Sequence, residues 1–501
     1  MEPAVKKFFG EKNPPRRTSL ALIDDDISLT EELEKNSGIK ISEHKELCDA
    51  IEEARKILAE NSITSDILKD RIVSCILLNA EEAADGAVKQ CGYKVSKADK
   101  ILTSKAFGFP IMILLLILIF WITIVGANYP SELLSIAFSW LGDRLTDLFL
   151  FLNAPPWLCG IVIDGAYKVL SWVVAVMLPP MAIFFPLFTI LEDLGYLPRV
   201  AYNLDKPFCK CKACGKQALT MCMGIGCNAA GIVGCRIIDS QRERLIAMLT
   251  NVFMPCNGRF PMILTIISLF LIGSASGFTG SLLSALALTG VILLGVLTTF
   301  LVSKLLSATI LKGEPSSFTL EIPPFRKPQF GRILVRSLLD RTVFVLGRAA
   351  AVAAPAGVII WVLANVSVSG QTLLEMVTGF LDPFGRFIGM DGVILTAFIL
   401  GLPANEIVTP IIVMTYLQQS SLSQIAPAQM LELFTNNGWT WVTAVCVIVF
   451  SLMHFPCSTS LMTIKKEAGG IKWAVLAFII PTVCGILLCA LIASAARFFG
   501  M

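Results

Sequence analysis

Eight apolar runs dominate the chain after residue 106: 107–128, 157–191, 246–272, 281–303, 342–364, 392–417, 439–462 and 473–496. Each is longer than the about 20 residues a helix needs to cross the hydrocarbon core of a bilayer. In that medium every backbone N–H and C=O must be satisfied inside the protein, so only helices or a closed barrel can span it. Unbroken runs of this length fit helices. The composition agrees, with 55% hydrophobic and 16% charged residues and a mean hydropathy of +0.72, where soluble domains carry about 25% charged residues. The chain therefore reads as an all-α polytopic membrane protein whose main partner is the lipid bilayer. A net charge of +3 is too small for a nucleic-acid partner. The fifteen cysteines lie mostly in or beside apolar runs, as reduced thiols packed like small hydrophobes do.

Residues 1–105 differ in character. "LTEELEKN", "ELCDAIEEARKILAEN" and "SDILKDRIVSCIL" carry amphipathic helical periodicity and predict a small N-terminal cytosolic helical domain. Residues 1–30 hold no cleavable signal, so the N-terminus is expected in the cytoplasm. No G-x-x-x-x-G-K-[ST] occurs in the chain; the chain is expected to bind and hydrolyse no nucleotide and to be no enzyme. The remaining chain divides into 106–156 (a first transmembrane helix and an amphipathic, interfacial helix over 131–152), a first repeat over 157–310, a basic cytoplasmic linker over 311–341 and a second repeat over 342–501.

Lysine and arginine set the expected topology. The loops 192–216, 304–341 and 465–472 are basic, whereas 273–280 and 418–438 contain neither residue; the positive-inside rule puts the first group in the cytoplasm and the second outside. A full crossing at 392–417 would then carry "TIKKEAGGIK" to the outer side. That run, and "MCMGIGCNAAGIVGC" at 221–235, are better read as re-entrant breaks, which membranes tolerate only inside protein or around a wet cavity. A bend is also expected at Pro179-Pro180.

The two halves share wording: "GCNAAG" (226–231) with "PANEIV" (403–408), and "FMPCNGRFP" (253–261) with "HFPCSTSL" (454–461). Under the charge assignment these are inverted repeats with re-entrant helix breaks, the sequence pointer to a transport site at the bilayer midplane. Pro255 and Pro456 remove donors and free carbonyls one turn earlier. Thiols Cys227, Cys256 and Cys457, amides Asn228 and Asn405, carboxylate Glu406 and imidazole His454 all fall at the breaks, a mixed S/N/O set suited to a borderline divalent transition metal rather than Mg²⁺ or Ca²⁺. Glu406 stands out, because an ionisable residue deep in an apolar run is functional by default. Arg259 is read either as its counter-charge or as a snorkelling cation. Cys222 and Cys235, like Cys159, Cys446, Cys484 and Cys489, are read as packing. Cys209, Cys211 and Cys214 form a C-x-C-x₂-C cluster among lysines that would lower thiol pKa, an accessory metal or redox candidate. Glu192 and Asp193 at a membrane exit are cation-guiding candidates.

The stretches "LEDLGYLPR", "GKQALTMCMGIGCNAAGIVGCRIIDSQRERL", "PCNGRFP", "GLPANEIVTP" and "HFPCSTSLMTIKKEAGG" resemble the two gate regions of the ferrous iron transport protein B (FeoB) family over about residues 105–501. Residues 15–105 resemble the helical domain that follows the GTPase domain in that family. The resemblance implies Fe²⁺ as the transported ion, uptake across the bacterial cytoplasmic (inner) membrane, and a pathway lined by Cys227, Cys256 and Cys457. It also implies control by a GTPase, either on a separate chain docking on residues 1–105 or lacking here because the sequence is a fragment or a GTPase-free variant, and small accessory Feo-type proteins; a homo-oligomer is compatible with it. Two alternatives in the transport class are Mn²⁺ or Zn²⁺ as cargo, and a nucleoside-type gate transporter. A third, a non-transporting membrane subunit that docks a GTPase, leaves the intramembrane Glu406 without a purpose.

Overall fold

The computed structural model describes residues 1–9, 15–24, 41, 44–61, 63, 65–87, 97–104, 106–273, 277–313, 325, 329, 331, 335, 344–368, 370–417 and 427–499. It is helical almost throughout; the described strands are a two-residue hairpin pair, Ser367–Val368 with Gln371–Thr372. The chain falls into two compact units, one built mainly from Met1–Lys94 and one from Val95 onward apart from short excursions at 240–242 and 312–319.

The first unit contains α1 (Glu2–Phe9), α2 (Pro15–Asp24), α3 (Lys45–Glu60) and α4 (Ser65–Ala87). Val5, Leu22, Ile41 and Leu47 close a small core. Arg55 ties α3 to α2 by donating to Leu22 O at 3.2 Å. The segments expected at 46–61 and 65–77 are thus helical, and "LTEELEKN" lies outside the described residues.

The second unit holds α5 (Lys97–Leu102), α6 (Gly108–Phe151), α7 (Pro156–Asp193), α8 (Tyr196–Lys210), α9 (Gln217–Gly226), α10 (Asn228–Gly234), α11 (Gln241–Thr250), α12 (Phe260–Ile266), α13 (Gly277–Ala308), α14 (Phe344–Asn365), α15 (Leu373–Phe387), α16 (Gly392–Leu400), α17 (Val408–Tyr416), α18 (Pro427–Asn436), α19 (Trp441–Met453), α20 (Ser458–Glu467) and α21 (Ile471–Phe498). Among the described residues six helical stretches are long and apolar enough to cross a membrane, or seven if α15 and α16, bent by 111°, count as one. On α21 the exposed Ile479, Val483, Leu487 and Leu491 recur every four residues, a continuous apolar stripe that lipid accepts and water does not. Within α13, the hydroxyls of Ser284, Thr289, Thr298 and Thr299 each donate to the carbonyl four residues earlier, which removes the cost of polar groups in an apolar span.

Two expectations change here. Residues 131–152 form no separate interfacial helix but continue the first span, through Pro130, to Phe151. At about 1.5 Å per residue α6 is roughly 66 Å long, more than a bilayer. The helix also runs through Pro179 and Pro180; the irregularity in α7 is instead a π-helical stretch, Gly160–Tyr167. Prolines are tolerated inside membrane helices when neighbours re-satisfy the freed groups.

The repeat is visible as geometry. In the first half α9 breaks at Cys227 into α10, and α11 breaks at 254–256 before a 3₁₀ turn (Asn257–Arg259) and α12. In the second, α16 breaks at 401–404 before a 3₁₀ turn (Asn405–Ile407) and α17, and α19 breaks at 454–457 into α20. Caps mark the intended starts: Asp391 accepts from Ile394 N at 2.7 Å at the head of α16, and Thr440 from Thr443 N at 3.3 Å at the head of α19.

Candidate metal pathway at the paired helix breaks

Each break is made by an extended residue that hands over to a helical start. Cys227 (φ −155°, ψ 122°), Cys256 (φ −83°, ψ 167°), Ala404 (φ −151°, ψ 117°) and Cys457 (φ −60°, ψ 156°) occupy that position in the four segments. The glycines of 224–234 do not make the turn, because none has positive φ. They permit close approach: a Cβ on Gly224 or Gly231 would press into the Asn251 amide, which sits between the two half-helices and donates to Asn228 O at 3.3 Å.

The four breaks meet around one cavity of about 60 Å³. Cys227, Asn228, Cys256, Asn405, Glu406 and Cys457 line it, with Met177, Met181, Gly258, Thr459 and Ser460. The three cysteines are half-buried and line this space. Asn228, with its amide set by its hydrogen bonds, donates to Gly224 O at 3.2 Å and Met254 O at 3.1 Å. Cys457 Sγ lies 3.3 Å from Ser460 Oγ. Glu406, 8% exposed, rests on Gly258, where a Cβ would overlap its carboxylate.

One expected ligand, His454, and the buried cation Arg259 take supporting places. His454 is absent from the lining; its Nδ1 lies 2.9 Å from Ser451 O and 3.1 Å from Phe450 O, and its Nε2 lies 3.4 Å from the Asn405 amide. Carbonyls only accept, so Nδ1 carries the proton. The ring is packed between Phe398 and Phe455 at centroid distances of 4.8 and 5.2 Å, beside Asn405 and behind the lining. Arg259 is neither a counter-charge of Glu406 nor a snorkelling cation. It is 1% exposed and donates to Val252 O (3.2 Å), Leu452 O (2.8 Å), His454 O (3.2 Å) and Phe455 O (3.3 Å). Leu452 O is the carbonyl that Pro456 frees, so one guanidinium holds the ends of α11 and α19 together.

Other candidates lie elsewhere. Glu192 and Asp193 end α7 outside the cavity, and Asp193 accepts from Gln329 N at 3.2 Å. Cys209, Cys211 and Cys214 flank the turn after α8. Among the described residues no three Cys, His, Asp or Glu side chains converge on one ion, at the loop thiols or around the cavity. Lysines do not activate the loop thiols. Burial, then the neighbouring Asp205 carboxylate, pushes Cys209 up to about 11, and burial pushes Cys214 up to about 12; Cys211 is raised by burial against the pull of Lys304. The thiolate fraction of Cys209 and Cys214 should therefore rise about tenfold per pH unit through pH 9. Residue-resolved maleimide labelling by mass spectrometry should show that slope, and a plateau below pH 9 would contradict it.

Met177 and Met181 were not among the residues expected from sequence. They lie four apart on α7, so one face presents two thioethers to the cavity; their spacing beside Pro179-Pro180 was the available signal. Arg199 of "LEDLGYLPR" was another. It is 1% exposed, pairs with Asp99 at 2.8 Å and stacks on Phe325 at 3.8 Å, anchoring α5 to α8.

A membrane-embedded, all-helical unit with two repeats of paired helix breaks facing one donor-lined cavity defines a polytopic membrane protein of the gate type. The sequence profile described as nucleoside recognition (Gate) matches residues 174–270 and 346–471, and the one described as ferrous iron transport protein B C terminus matches 288–340. Among curated relatives, the Fe(2+) transport protein A/Fe(2+) transporter FeoB fusion protein of Porphyromonas gingivalis is 24% identical over 96% of this chain and 62% of its own length. The Fe(2+) transporter FeoB of Staphylococcus aureus is 28% identical over 78% of this chain and 57% of its own. That of Methanocaldococcus jannaschii is 25% identical over 95% and 70%. The chain thus spans about three-fifths of the length of the first two of these relatives. No solved structure matches. The chain belongs to the FeoB family of membrane proteins.

Proposed function

We propose that this chain forms the pathway through which Fe²⁺ crosses the bacterial cytoplasmic membrane, inward from the outer face, with the N-terminus and the basic loops in the cytoplasm. The observation that carries this reading is the single cavity at which thiols from both repeats, Cys227 and Cys256 from one and Cys457 from the other, face Glu406. Four helical starts point their partial positive charge at that space, so a cation is held there only by the anionic donors. Glu406 supplies charge; the thiols, on losing protons, supply soft ligands; Asn228 and Asn405 supply oxygens. Metal binding then releases protons and weakens at low pH.

The donor chemistry selects a borderline divalent transition ion, and the relatives' names favour Fe²⁺ over Mn²⁺ or Zn²⁺. A nucleoside does not suit the cavity. The lining has no aromatic side chain, and about 60 Å³ is smaller than the roughly 150 Å³ that accepts a benzene ring. Gating belongs to a GTPase acting on residues 1–105, and a partner of the transport protein A type fits the Porphyromonas gingivalis fusion. Proteoliposomes offered Fe²⁺, Mn²⁺ and Zn²⁺ separately, with and without such a GTPase, test the reading. Fe²⁺ uptake above protein-free vesicles is expected, and its absence under both conditions would overturn the reading.

A further inference from the structure

We propose that a second chamber beyond Glu406 admits the cation with its water shell intact, and that the ion sheds water at Glu406 before it reaches the thiols; this rests on the transport reading above. The chamber measures about 310 Å³ and lies between α6, α7 and α12, lined in part by Asn128, Ser131, Asn257, Thr265 and Thr409. Glu406 belongs to its wall and to that of the inner cavity. Size separates the two spaces. At the roughly 10–15 Å³ of such space that one water needs, a six-water shell takes about 60–90 Å³, which the outer chamber of about 310 Å³ holds several times over and which takes the inner cavity of about 60 Å³ to its limit.

Chemistry agrees with size. Glu406 is the charged residue of the outer lining, which includes no lysine, arginine or histidine. Metal-bound waters donate hydrogen bonds, and the walls accept them: Thr123, whose hydroxyl donates to Ile119 O at 2.8 Å, keeps its oxygen lone pairs free. Asn257, 4% exposed, brings an amide to the same wall, whose carbonyl oxygen can accept from a metal-bound water. A bare divalent ion could not wait among Phe120, Trp172 and Phe260 of the same wall without prohibitive desolvation. Asn128 lies twenty residues along α6 from Gly108, roughly 30 Å at about 1.5 Å per residue, which puts the chamber at the end of the membrane away from α5 and, in the proposed topology, outside.

Hexaamminecobalt(III) tests this, because it has the shape of a hexaaqua ion and does not exchange its ligands during an assay. Added to the bath of proteoliposomes taking up Fe²⁺, it should inhibit competitively without being transported. Asn257→Leu and Ser131→Phe should each weaken the block tenfold or more and raise KM for Fe²⁺. Uptake by the unmodified protein that is not blocked competitively, or a block that both variants leave unchanged, would overturn the chamber while leaving transport standing. Absence of uptake by the unmodified protein would overturn the transport reading and this inference with it. Should neither variant transport, the inhibition pattern of the unmodified protein decides alone.

Discussion

Replacing Cys227, Cys256 and Cys457 together by serine should lower Fe²⁺ uptake by at least about a hundredfold while the protein still folds. The three side chains line one cavity from three separate helix breaks, and serine keeps their size and hydrogen-bonding reach but not a soft anionic ligand. One lost charge-assisted contact is worth about 1.5–3 kcal/mol, or about ten- to a hundredfold in affinity, so three exceed that range even with incomplete additivity. Single variants should lose less, since among the described residues no three that could hold a metal converge on one point. Uptake by the triple variant within a few-fold of the unmodified protein, at equal amounts in the vesicles, would remove the thiols from the pathway.

Arg259→Met should be the most destabilising single change. It keeps the bulk of the side chain and strips the donors from four carbonyls drawn from both repeats. A buried carbonyl left unpaired costs about 1–3 kcal/mol, so even the low end sums to about 4 kcal/mol, a large part of the about 5–15 kcal/mol that holds a typical domain together. Thermal unfolding in detergent should show a clearly lowered midpoint. Arg259→Lys should recover only part of the loss, because a compact ammonium cannot spread its donors as the planar fork does. A midpoint unchanged in Arg259→Met would mean that the two broken helices do not depend on this residue.

What the sequence revealed followed from contrasts with its apolar background. Proline beside cysteine, an asparagine and a carboxylate inside an apolar run are costly there, so the breaks at 227, 254–256, 401–404 and 454–457 were legible before the fold. Met177 and Met181 were not, because a thioether in an apolar run looks like any other core residue. Arg259 stood out as a charge, but its partners are carbonyls separated from it by almost two hundred residues, which no local pattern encodes. The same holds for Asn251, whose place between Gly224 and Gly231 depends on how α11 packs against α9 and α10. The amphipathic character of 131–152 was real, yet it could not show that α6 continues through Pro130. The loop lysines pointed to activated thiols; burial and Asp205 outweigh them.

The most direct measurement is X-ray absorption at the iron edge on the Fe²⁺-loaded protein, anaerobic, beside its Cys227/Cys256/Cys457 triple serine variant. A sulfur shell near roughly 2.3 Å, as for a thiolate on a divalent first-row ion, is predicted in the unmodified protein and should vanish in the variant. An iron shell of oxygen and nitrogen alone, the same in both proteins, would contradict a thiol-lined pathway.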